Sequence, residues 1–181
     1  MPSDEIEVGM GIHNEPGSHR VKATLPELIQ TMLRQMLDQK DSDRAYLSWG
    51  PSDQFVLLIN NLGGVSTIEL SGITDEVHRQ LDKDYKIKPV RVIQGTFLTS
   101  LNGLGFSISI LRVDDTGLGP GKSFLDLIDA PAEAVGWSAP ISRSTWETKA
   151  SALVEVKKTK LAEEKPGNVK RMWLLVFVGH G

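Results

Sequence analysis

The run Phe55-Val-Leu-Leu-Ile-Asn60 constrains the chain more than any other stretch. It is of strand length and carries no polar residue before its end, so it predicts a strand buried on both faces. Such a strand needs neighbours, and the flanking sequence supplies them. Thr24 reads as an N-cap with Pro26 inside the first turn and Glu27 three residues on. The helix that it opens is expected over Leu25–Gln39, with Leu28, Ile29, Met32, Leu33, Met36 and Leu37 on one stripe. After Gly63-Gly64, Ser66 or Thr67 caps a second helix with Ile68, Leu70, Ile73, Val77 and Leu81 as its apolar positions. Lys88–Phe97 alternates with β-branched residues and Phe106–Val113 reads as a further strand. With no crossover helix between them, these two are expected to form an antiparallel pair in a mixed sheet. Phe124–Ile128 is a short helical piece that ends at Asp129-Ala130-Pro131. The alternation of strands and helices predicts an α/β fold (α+β in the sense of a mixed sheet flanked by helices).

Beyond Pro131 the periodicity degrades, and residues 141–181 read as linker or divergent tail after a unit spanning 1–140. The closing KRMWLLVFVGHG is the exception, an apolar and strand-like stretch. Its uninterrupted part, Trp173–Val178, is far short of the ~20 residues a membrane helix needs. No internal repeat is present. A net charge of −3 with scattered Lys and Arg gives no electrostatic footprint for nucleic acid. Cysteine is absent, which excludes disulfides and thiolate metal sites and fits a reducing compartment. An acidic, polar start (MPSDEIE) is the opposite of a secretory leader. A cytoplasmic location, with no membrane partner, is the expectation.

Ile6, Val8, Met10 and Ile12 alternate with Glu7, Gly9 and Gly11, which predicts a strand running directly into His13. Asn14-Glu15-Pro16-Gly17 then reads as a turn. Taken alone, His13 is a structural hydrogen-bonding residue at a strand end. Glu15 either orients His13 or its loop, or is an exposed turn acid. Asn60-Asn61-Leu62-Gly63-Gly64 lies where a strand gives way to a helix; free amides there would bind an anion, but a tight glycine turn is the preferred reading. Gly117–Ser123 imitates a phosphate-binding loop, yet Thr116 stands where the pattern requires glycine and Pro120 removes an amide, so it reads as a plain loop. Thr99, Ser100 and Asn102 form a polar turn with side-chain-to-backbone bonds. His19, His78 and His180 have no partners at ligand spacing, so no metal site is expected.

Four blocks, IEVGMGIHNEPG (6–17), FVLLINNLGGVSTIEL (55–70), FLTSLNGLGFSISILRVDD (97–115) and FLDLIDAPAEAVGW (124–137), are together similar in order and spacing to one family. The chain resembles the C-terminal half of the substrate-binding domain of dihydroxyacetone (glycerone) kinases, in the form seen in eukaryotes. The resemblance runs from about residue 4 to about residue 140 and places nothing from Trp146 onwards. It implies the fold of that subdomain and a role for His13 as the residue that bonds covalently to the carbonyl carbon of dihydroxyacetone, with Glu15 beside it.

A neutral imidazole nitrogen adds to a ketone but has no second proton to lose with water, so addition stops at a hemiaminal. Such a bond would hold a triose and reject glycerol, which has no carbonyl. The resemblance also implies that ATP and Mg2+ serve the complete family enzyme and are bound by parts other than this chain. On that reading the chain is a truncated piece that does not transfer a phosphoryl group alone. Two other readings stay open. One is a non-catalytic remnant or interaction module that forms homo-oligomers or pairs with a full-length kinase. The other is a half-domain recruited to a different reaction on a short-chain carbonyl compound.

Overall fold

The computed structural model describes residues 5–11, 15–43, 47–101, 103–115, 117–137 and 140–149, together with the backbone of 172–178. His13, Asn102 and His180, all weighed above, lie outside the described residues. In chain order the elements are β1 (Ile6–Val8), β2 (His19–Val21), α1 (Leu25–Leu37), β3 (Phe55–Asn61), α2 (Thr67–Gln80), β4 (Arg91–Gly95), β5 (Gly105–Arg112), α3 (Phe124–Ile128), α4 (Arg143–Lys149) and β6 (Met172–Val178). A π-helical turn, Leu81–Tyr85, extends α2 and ends at Lys86 in the left-handed region.

The strands form one mixed sheet in the order β2-β1-β6-β5-β3-β4. As expected from its composition, β3 is buried on both faces apart from a half-buried Leu58, and it lies between β5 and the edge strand β4. The expected pairing of Val90–Phe97 with Phe106–Val113 is corrected: β4 and β5 flank β3 on opposite sides. β5 runs antiparallel to β3, with Leu57 opposite Ile110. β4 runs parallel to it, because α2 carries the chain back to the start of the sheet. The closing apolar stretch is a strand, as its composition predicts. β6 lies between β1 and β5 and is parallel to both.

One face of the sheet carries the main core. Phe55, Leu57 and Ile59 of β3 and Phe106, Ile108 and Ile110 of β5 pack with the α1 stripe and with Leu70, Ile73, Val77 and Leu81. All six expected α1 positions are buried. Ile68 is not; it is 81% exposed, because Leu70, Ile73 and Val77 define a stripe that position 68 falls behind. α1 stops at Leu37 rather than Gln39, where the Asp38 side chain accepts the Lys40 amide at 3.0 Å and competes with a further helical turn.

Each of the first three helices starts on a serine or threonine paired with a carboxylate. Glu27 accepts from the amide and hydroxyl of Thr24, Glu69 from those of Ser66, and Asp126 from those of Ser123. Backbone and hydroxyl hydrogen bonds from Thr24 hold the Glu27 carboxyl below its ordinary pKa. The Ser66 and Ser123 bonds do the same for Glu69 and Asp126. Ser66, not Thr67, is the cap of α2.

β1 is shorter than the alternation suggests and ends at Val8, since Gly9 adopts φ +76° and breaks the pleat. Glu7, the polar member of that alternation, is buried with its neighbours. Among the described residues no helix is long and apolar enough to cross a membrane.

Candidate functional site

The segment between β1 and β2 is a loop closed at its base. Ser18 donates both its amide (2.8 Å) and its hydroxyl (3.1 Å) to the Val8 carbonyl. Gly17 donates its amide to Oε1 of Glu7 at 2.8 Å. Further in, the Gly11 amide donates to the Glu15 carbonyl at 3.3 Å. These ties explain the three glycines of GMGIHNEPG. Gly9 supplies the positive φ. A Cβ at Gly17 would stand 2.6 Å from Cγ of Glu7 and 2.7 Å from the Val8 carbonyl oxygen. A Cβ at Gly11 would run into the Glu15 side chain, whose carboxylate lies back over the Gly11 backbone. His13 belongs to this loop by sequence. Glu15 is exposed, and its described neighbour is Gly11.

A second glycine-bearing loop leaves β3. Its amides are already occupied, so it presents no anion nest. Asn61 is 6% exposed; its Oδ1 accepts from Gly63 (2.8 Å) and Val65 (3.1 Å), and its Nδ2 donates to the Val65 carbonyl (2.7 Å). Gly64 donates to the Gly103 carbonyl at 2.9 Å, and Leu62 to that of Gly105 at 3.0 Å. The preferred reading of this stretch as a tight turn therefore holds. The adjoining 97–103 turn is secured from outside. Oδ1 of Asn60 accepts the Phe97 and Leu98 amides at 2.9 Å, and Nδ2 donates to the Leu98 carbonyl at 2.8 Å. Asn102 of the expected polar turn lies outside the described residues; the buried asparagine one strand away supplies side-chain bonds to the backbone of 97–98. Leu101, at the tip, adopts φ +53° and is 92% exposed.

Gly117–Ser123 is a loop, as read. Gly117, Gly119 and Gly121 all have positive φ, and Ser123 is engaged as the cap of α3.

Sequence reasoning missed one cleft, of about 180 Å³, at the β4 edge of the sheet. Arg91 lies at its floor, 5% exposed, with a two-pronged bond to Asp129 at 2.8 and 2.7 Å and a further bond to the Val90 carbonyl. The Asp129 carboxylate raises the Arg91 pKa further above its already high value. The guanidinium carbon sits 5.4 Å from the centre of the Trp146 ring, within cation–π range. Phe97 and Trp137 stack nearby with ring centres 4.8 Å apart. Thirty-eight residues separate Arg91 from Asp129, so no local pattern announced the pair. Arg91 and Asp129 satisfy each other, and the pair, with the Trp146 ring against the guanidinium, fastens the end of α3 and the Trp146 segment to the sheet. Among the described residues no three His, Asp or Glu side chains converge as a metal site would require.

Comparison with known proteins places these features in a family. The Dak1 domain model matches residues 1–136. A dihydroxyacetone kinase of Pichia angusta is 45% identical over 156 residues, 85% of this chain and 25% of its own length. Dihydroxyacetone kinase 2 of Saccharomyces cerevisiae is 37% identical over 172 residues, 92% of this chain and 28% of its own. A match of that extent continues past Trp146, beyond the blocks that carried the resemblance. The human triokinase/FMN cyclase is 36% identical over 76% of this chain and 22% of its own length. This chain thus spans about a quarter of the relatives it matches. A solved chain described as "Regulation of the dha operon of Lactococcus lactis" shares the fold, with a TM-score of 0.56 at 23% identity over 77% of this chain and 40% of that one. The chain therefore belongs to the Dak1 domain family.

Proposed function

We propose that this chain is the ketone-binding part of a dihydroxyacetone kinase and that His13 holds dihydroxyacetone as a hemiaminal. The observation that carries this reading is the 9–17 loop. Gly9, Gly11 and Gly17 each answer a specific contact or backbone angle, which supports reading the segment that carries His13 as a loop of defined shape at its described residues. The names of the relatives supply the substrate class, dihydroxyacetone or a related short-chain carbonyl compound.

In the addition, a ring nitrogen of neutral His13 attacks the carbonyl carbon and one C–N bond forms. The carbonyl π pair moves to oxygen, which takes a proton, and the ring gives up the proton of its other nitrogen. Nothing is expelled, and the step reverses by the same path. The ring must be neutral, so binding should fall as the imidazole protonates. Glu15 is placed by sequence to orient the ring or to shape its loop.

Phosphoryl transfer to the bound ketone would need ATP and Mg2+. In the complete family enzyme other parts are expected to bind both, so no step of that transfer is assigned to this chain.

Titration with dihydroxyacetone labelled with carbon-13 at C2, followed by NMR, tests the proposal. The carbonyl resonance should be replaced by one in the saturated-carbon range with wild-type protein and not with His13→Ala. No new resonance with the wild type, or one that persists in His13→Ala, overturns it.

A further inference from the structure

Glu7 is a buried carboxylate to which the ketone chemistry gives no role. At 8% exposure on a three-residue strand it is costly to bury unless it is bonded. Its bonds lead to one place. Oε1 accepts the amide of Gly17, the last residue of the GMGIHNEPG loop, at 2.8 Å. Oε2 lies 3.6 Å from Nε of Arg20, directly across the β1–β2 pair. Arg20 is more than half exposed, so this ion pair is screened and the Gly17 bond is the stronger tie. Gly17 and Glu7 fit each other reciprocally, since any side chain at 17 would occupy the position of Glu7 Cγ. The neighbouring residue, Val8, accepts both bonds from Ser18. Two consecutive residues of β1 thus fix the end of the loop, one through its backbone and one through its carboxylate.

We propose that Glu7 is a positioning residue of the segment that carries His13: by holding the Gly17 amide it fixes the C-terminal end of that segment, and so supports addition of His13 to a ketone. Only the last clause rests on the hemiaminal reading. Glu7 touches no substrate and acts through the backbone. The requirement is for an acceptor at this place rather than for a negative charge. Glutamine should therefore replace glutamate and leucine should not.

The experiment uses the full chain with wild type, Glu7→Gln and Glu7→Leu, and reads amide hydrogen exchange together with the labelled-dihydroxyacetone titration. Glu7→Gln should keep ketone affinity within about threefold of wild type. Glu7→Leu should weaken it by about tenfold, the weight of one hydrogen bond to a charged group. In Glu7→Leu, exchange at Gly17 and Ser18 should accelerate while Leu57 and Ile108 in the central strands keep their protection. Should Glu7→Leu lose that central protection, Glu7→Ala, which removes the same acceptor without adding apolar bulk, takes its place. Wild-type affinity in Glu7→Leu, or unaltered exchange at Gly17, overturns the role of Glu7 and leaves the hemiaminal intact. Absence of an adduct with wild-type protein overturns the hemiaminal reading, while the exchange data still decide whether Glu7 holds the loop.

Discussion

Two glycine-bearing loops leave strands of the same sheet, and they are built in opposite ways. After β3, the 62–65 loop turns its amides inward. Asn61 satisfies Gly63 and Val65, and Gly103 satisfies Gly64. The loop is thereby locked to the 97–103 turn, which Asn60 secures from the other side of the strand. After β1, the 9–17 loop is tied at its base by Glu7 and Val8, with one longer bond from Gly11 to Glu15 inside. The first arrangement serves stability, because buried polar groups there have no water to replace a lost partner. The second ties the end of the segment at Gly17 and Ser18 back to β1.

The largest effect should come from the inward loop. Asn61→Ala strips partners from the Gly63 and Val65 amides and the Val65 carbonyl, and is expected to cost about 3 kcal/mol, read as a lower urea midpoint. In the base-tied loop, Gly17→Ala forces Glu7 aside and is expected to cost about 1 kcal/mol, with faster exchange confined to residues around Gly17. A penalty as large as that of Asn61→Ala would erase the distinction between the two loops. The smallest effect has the opposite sign. Leu101 holds a left-handed backbone while its side chain is almost fully in solvent, so Leu101→Gly is expected to raise stability by about 0.5 kcal/mol in the same urea assay. A loss instead would mean that the exposed leucine contributes contacts to the 97–103 turn.

The first three helices were legible in the sequence because their determinants are local. The α1 stripe, the Thr24–Glu27 pair, the cap at Ser66 or Thr67 and the short piece at Phe124 all follow from residues within two turns of one another. Strand order was not legible. Adjacency in sequence suggested β4 beside β5, but a crossover helix made β4 parallel to β3, and β5 found its antiparallel partner on the far side. Glu7 was hidden for a different reason. Alternation assigns a charged residue to solvent, and the partners that account for its burial, the Gly17 amide and Arg20, lie ten or more residues away. The Arg91–Asp129 seam has the same character, a pair whose members mean nothing until the chain brings them together.

The three helix starts have a common consequence for acid. Each is closed by a carboxylate that hydrogen bonding holds below its ordinary pKa. A group whose pKa is depressed on folding contributes its stabilisation above its unfolded value, here 4.5 for the two glutamates and 3.8 for Asp126. That contribution is lost as pH falls through the lower folded value. All three lie on the surface, so each is worth little alone. Because α1, α2 and α3 all begin this way, unfolding in acid takes up a proton at each of three separate helices, between that group's lowered folded pKa and its unfolded value. Acidification thus loosens the same end of all three helices, whereas heat or urea meets each of them through its packing.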